Sequence, residues 1–197
     1  MIASKRLKKL CIPNGIMVFI AFLFWIFDFD QKLYLYPLYF SLVIGLYNWK
    51  KFKNNKWLFF FLWNLTSFVI FVASVRLDRL FYDFFKSIRT IEVPLDMLQG
   101  HIGFISSFSY YIFNPLFVLI SIVFIFKTKK NLFTLFCLWI ATFILLFISM
   151  FLFFEKHSWN NDFFESYPLA FLVWQIVVGF AIQYYLYPKE TYIKHDL

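Results

Sequence analysis

Four side chains in this 197-residue sequence have the chemistry to hold or attack a phosphate or an acyl group: Lys86, Arg89, His101 and His157. A lysine and an arginine can hold an anion, and a histidine can act as nucleophile or proton carrier. Asp83, Glu92, Asp96, Glu155 and Asp162 lie in the same two stretches and could serve as acids or bases. Spacing excludes most reactions that these types suggest. A metal site needs several converging ligands, and neither HExxH nor any paired-histidine pattern occurs. Ser106 and Ser107 follow His101, but no GxSxG elbow surrounds them. Cys11 and Cys137 lack CxxC spacing and read as small apolar residues. The sequence therefore predicts no metal and no cofactor, and the four residues stand as isolated catalytic candidates.

Membrane phosphatases of the phosphatidate type also present a basic and histidine site on an outer face. Here Gln99-Gly100-His101 stands where Pro-Ser-Gly-His is needed, and Lys86 with Arg89 has the wrong spacing. No Ser-Arg pair precedes His157 at the required distance, which excludes that family.

The elements that must position these residues are apolar. The chain is 62% hydrophobic and 26% aromatic, with thirty-two Phe and a mean hydropathy of +0.71. A soluble domain of this size could not hide so much apolar surface. Six apolar segments, at about 12–27, 33–49, 57–75, 110–126, 132–154 and 168–187, each approach the ~17–25 residues that cross a bilayer as a helix. Backbone in lipid must satisfy its own hydrogen bonds, so a helical bundle follows. The first span reads as retained rather than cleaved, because no small-residue cleavage pattern follows Phe27. The net charge of +8 lies in short lysine runs beside these segments, which points to membrane orientation and away from nucleic acid.

Those runs alternate. Lys5, Arg6, Lys8 and Lys9 precede span 1; Lys50, Lys51, Lys53 and Lys56 join spans 2 and 3; Lys127, Lys129 and Lys130 join spans 4 and 5. The first and fifth connections lean acidic, through Asp28 with Asp30 and through Glu155, Asp162 and Glu165. The positive-inside rule then places both termini in the cytoplasm of a cell whose inner membrane the chain crosses. The loop at 76–109 and the loop holding His157 share the outer face.

The outer loop opens with an amphipathic stretch. Leu77, Leu80, Phe81, Phe84, Phe85 and Ile88 recur at helical spacing, with Arg76, Asp78, Arg79, Asp83, Lys86 and Arg89 largely opposite. Such a helix either lies on the membrane surface or extends a span into water, and its apolar face is the predicted interaction surface. Within the spans, Asn64, Thr66, Asn114, Thr142, Gln175 and Gln183 are uncharged and read as bridges between helices. No span has a charge near its centre, which weakens ion-coupled transport. A faint repeat relates Pro37-Leu38 to Pro115-Leu116 and Pro168-Leu169, and Leu62-Trp63 to Leu138-Trp139. Tyr82-Asp83-Phe84-Phe85-Lys86-Ser87 likewise echoes Asn161-Asp162-Phe163-Phe164-Glu165-Ser166.

Arg76-Leu77-Asp78-Arg79-Leu80-Phe81-Tyr82-Asp83, followed by Phe84-Phe85-Lys86, resembles the signature of small exosortase F system-associated membrane proteins. Tyr111 with Asn114 and the apolar run to Phe126 resembles that family's next span. The resemblance covers about residues 70–187. Phe84 replaces the family's usual proline, a basic motif near span 6 is absent, and residues 1–56 are additional. It implies an accessory role beside a membrane-embedded bacterial sorting enzyme.

These features together predict an all-α polytopic membrane protein, a bundle of six transmembrane helices with an outer-face interfacial helix. Residues 1–56 form a transmembrane hairpin and basic loop, and 57–197 a four-helix membrane region with the outer loop 76–109. The expected role is accessory or assembly, with the lipid bilayer and a sorting enzyme as partners. The alternatives are an outer-leaflet enzyme acting on a lipid-linked or phosphate-bearing substrate through Arg76, Arg79, Lys86, Arg89 and His101, and a small transporter.

Overall fold

The computed structural model describes residues 2–27, 35–87, 111–128, 131–156 and 163–187. They form α1 (Ile2–Ile26), α2 (Leu35–Tyr47), a 3-10 turn (Trp49–Lys51), α3 (Lys56–Ser87), α4 (Tyr111–Ile125), α5 (Leu132–Lys156) and α6 (Phe163–Leu186). Among the described residues no strand occurs beyond an isolated bridge between Phe52 and Phe126. Three stretches are long and apolar enough to cross a membrane: Arg6–Phe24, Lys56–Phe81 and Leu132–Ser149. The other apolar helices, Leu35–Tyr47, Tyr111–Ile125 and Leu172–Leu186, are shorter among the described residues.

Most of this apolar surface points outward. No more than 22% of any of the three long apolar stretches is buried inside the bundle. Large side chains such as Phe61, Phe124 and Leu145 are exposed. The most buried helix is α4, whose Val118, Leu119, Ile122, Val123 and Ile125 are all buried, as is Phe126 just beyond it. Around it α2 packs on α3, α5 on α6, and α1 on both α6 and α2.

Two glycines set how close helices come. A Cβ on Gly45 of α2 would meet a ring carbon of Phe60 at 2.8 Å and Cδ1 of Trp63 at 3.1 Å, both on α3. A Cβ on Gly179 of α6 would crowd Asn14 and approach the Met17 methyl of α1 at 2.8 Å. Small residues at such crossings let apolar helices gain contact where no water-driven force joins them. Gly45→Val is expected to destabilise the folded protein by about 1–3 kcal/mol, because the fully buried Trp63 leaves no room to yield. Thermal unfolding in detergent micelles measures the loss.

Helix bounds differ most from the sequence expectation in two places. First, α1 begins before the lysines rather than after them and passes through Pro13. Pro13 cannot donate to Lys9, and Asn14 adds a side-chain bond to the next carbonyl, Leu10 O, at 2.7 Å. Second, residues 76–87 are not a separate interfacial helix. They continue α3, a single helix of 32 residues and so about 48 Å long. No glycine or proline interrupts Lys56–Ser87, so nothing in the local chemistry ends the helix where the apolar run stops.

The basic stretches meet at one end of the bundle. Lys127 N–H donates to Lys51 O at 2.6 Å, and Lys53 N–H to Ile125 O at 3.3 Å, across the Phe52–Phe126 bridge. The two rings stack at 4.5 Å, and Trp63 meets Phe126 edge-on at 5.4 Å. Arg6 Nε donates to Tyr187 O at 3.1 Å, while Lys9 and Lys51 place Nζ 4.4 Å and 4.8 Å from the Tyr187 ring centre.

The pairs α2–α3 and α4–α5 also share local chemistry. Leu58 N–H donates to Asn55 Oδ1 at 3.2 Å, and Thr134 N–H to Asn131 Oδ1 at 3.0 Å, so α3 and α5 start on the same cap. At the same interval after each cap, an indole N–H reaches the preceding helix: Trp63 to Ser41 O at 2.8 Å, Trp139 to Ile112 O at 3.1 Å. The faint repeat in the sequence thus coincides with matched caps and matched tryptophan ties.

Candidate functional site

One group of polar residues inside the bundle comes from α2, α3, α4 and α6. The Tyr39 hydroxyl donates to Gln175 Oε1, and Gln175 Nε2 donates to Tyr36 O at 2.8 Å, which joins α2 to α6. Ser41 Oγ lies 2.7 Å from Asn64 Oδ1 and 2.9 Å from Leu38 O, and Asn64 Nδ2 donates to Phe60 O at 2.8 Å. With the Trp63 tie, these bonds fix α2 against α3. Each follows from a short polar side chain placed on a helix face that apolar neighbours bury.

Beside them lies a cavity of about 10 Å³, walled by Tyr36, Phe40, Ser67, Asn114, Trp174 and Gln175 among others. That is about the space of one water molecule. Ser67 Oγ and Asn114 Oδ1 are buried there and make no hydrogen bond among the described residues. From the basic end at Lys56, Ser67 lies eleven residues along α3, about 16 Å. Gln175 lies about 18 Å from Tyr187 by the same measure.

Neutral amides and hydroxyls in such a place can bind, orient and hold helices in register. They supply no charge for an anion and no nucleophile paired with a base. Among the described residues, no group of three His, Cys, Asp or Glu is placed to hold a metal ion.

Of the residues that the sequence singles out for chemistry, Arg89, His101 and His157 lie outside the described residues, as does Ile88. Lys86 and Phe85 fall within α3, with their side chains outside what is described. Leu77 is half-buried, whereas Leu80, Phe81 and Phe84 are exposed, together with Arg76, Arg79 and Asp83. Asn64 and Gln175 bridge helices as the sequence predicts. Asn114 sits at the cavity instead. Sequence reasoning misses Tyr39, Ser41 and Ser67, because one hydroxyl in a run of aromatic and aliphatic residues carries no periodic signal. No family model, curated protein or solved structure matches the chain.

Proposed function

We propose that the chain is a six-span accessory protein of a bacterial inner membrane, with both termini cytoplasmic, that assists a membrane-embedded sorting enzyme. The observation that carries this is the unbroken α3. Its apolar window ends at Phe81, yet the helix continues to Ser87 with Leu80 and Phe84 exposed beside Arg79 and Asp83. An amphipathic extension of a span is suited to grip a second membrane protein. The Arg76–Lys86 motif, which resembles exosortase F system-associated proteins, covers the end of that window and most of the extension. The neutral polar interior supports a scaffold role more than an enzymatic one, since its bonds tie helices together.

Leu80→Asp is expected to cut co-purification of the sorting enzyme at least tenfold while the membrane level of the chain stays unchanged. Burial of an unpaired carboxylate in an apolar interface is costly, whereas the exposed helix tolerates it. Lys86→Ala is expected to leave both quantities as they were, because an accessory role asks no chemistry of that ammonium. Loss of sorting in Lys86→Ala with the partner still bound would move the chemistry onto this chain.

Gathering of the basic stretches at one end supports the orientation. Reporter fusions after Lys53 and Lys129 are expected to read cytoplasmic, and fusions near Gln99 and Trp159 external. A cytoplasmic signal at Gln99 would overturn the six-span assignment.

A further inference from the structure

A groove of about 400 Å³ follows the seam between α2 and α3, lined by Leu38, Leu42, Trp57, Phe60, Phe61 and Asn64. Its lining is almost wholly carbon. The one amide is already used, because Asn64 Oδ1 accepts from Ser41 and Nδ2 donates to Phe60 O. The rim stands open: Trp57 is 74% and Phe61 63% exposed. Gly45 brings α2 against Phe60 and so closes the floor of the seam. An open, carbon-lined seam offers apolar surface with no hydrogen-bonding group left to satisfy. It suits an extended hydrocarbon chain.

One end of the groove decides what that chain is attached to. Trp57 lies beside Lys56 in sequence and meets Trp49 edge-on at 4.8 Å, next to Lys50. Tryptophans of this kind sit at headgroup level in membranes. Lys51 and Lys53 are engaged, over the Tyr187 ring and on Val123 O at 3.0 Å. Lys50 and Lys56 are exposed. No acidic residue lies at this end among the described residues, since Asp78, Asp83, Glu155 and Glu165 all belong to the opposite ends of their helices. Lysines beside a span attract anionic lipid headgroups.

We propose that this seam is a seat for one anionic phospholipid: an acyl chain lies in the groove, and the phosphate pairs with Lys50 and Lys56. The seat rests on the membrane reading above, but not on which side of the membrane the basic end faces.

The test uses the full-length protein in detergent, with phosphatidylglycerol and phosphatidylcholine of identical acyl chains as probes and native mass spectrometry as the readout. Phosphatidylglycerol is expected to be retained at least tenfold more tightly. The pair Lys50→Gln with Lys56→Gln should lower its retention at least fivefold and that of phosphatidylcholine, whose choline offsets the phosphate charge, by much less. Leu42→Trp, which fills the groove from its exposed rim, should lower retention of both lipids. Equal retention of the two lipids by the wild-type protein would overturn the proposal, as would indifference to the lysine pair.

A second measurement rests first on the wild-type protein. Phosphatidylglycerol brominated on its acyl chains should quench tryptophan fluorescence at lower mole fraction than brominated phosphatidylcholine, and Trp57→Phe should weaken that difference. Quenching that is the same for both lipids counts against the seat. Alkaline carbonate washing of native membranes separates the two levels of inference. Release of the chain would refute the membrane reading itself, whereas retention without lipid preference would refute the seat alone.

Discussion

Trp63→Ala is expected to lower the stability of the folded bundle by about 2–4 kcal/mol. Trp63 is fully buried, donates to Ser41 O at 2.8 Å and presses its edge on Phe126. In water-soluble cores such a truncation costs about 3–5 kcal/mol, part of which is transfer of the ring from water. In a bilayer the unfolded reference is lipid, so the packing and cavity terms remain and the transfer term shrinks. Trp63→Phe keeps most of the volume and loses the indole bond, for an expected cost near 1 kcal/mol. Unfolding of the reconstituted protein by a steric trap in bicelles would compare the two. An Ala variant as stable as wild type would show that the aromatic cluster at the basic end does not hold α2, α3 and α4 together.

The second large effect is expected at Gln175. Leu in its place leaves the buried Tyr39 hydroxyl without an acceptor and removes a donor from Tyr36 O, for about 1–3 kcal/mol. Tyr39→Phe strands the glutamine oxygen instead and costs a similar amount. Combining the two should cost less than their sum, with a coupling of about 0.5–2 kcal/mol, because neither partner is then left unsatisfied. The same unfolding assay on all four proteins closes the cycle. Strict additivity would mean that the tyrosine and glutamine do not bond in the bilayer.

How far such features can be foreseen depends on their range. Lysine runs flanking apolar segments foretell that the 50–56 and 127–130 stretches share an end, because charge and hydropathy are local properties. The stacking of Phe52 on Phe126 that fixes them there is not legible. Among thirty-two Phe, nothing in the sequence marks those two. The amphipathic face from Leu77 to Ile88 is plain, but whether it bends onto the membrane or runs straight on depends on the absence of a breaker. That favours the extension seen in α3. Asn64, Asn114 and Gln175 announce themselves as amides in apolar spans. Tyr39 does not, since a tyrosine in an aromatic run passes for hydrocarbon until its partner from α6 is placed.

The packing of α1 on α6 has a consequence in time. Met17 lies against Gly179, and about 160 residues separate them, which a ribosome adds at ~5–20 residues per second. For roughly 8–30 seconds, therefore, the first helix exists without the surface that buries Asn14. If the chain enters a membrane as proposed, throughout that interval it is a client of whatever insertion machinery shields polar surface from lipid. A chain that stops short of Gly179 would remain one, exposed to the proteases that remove unfinished membrane proteins.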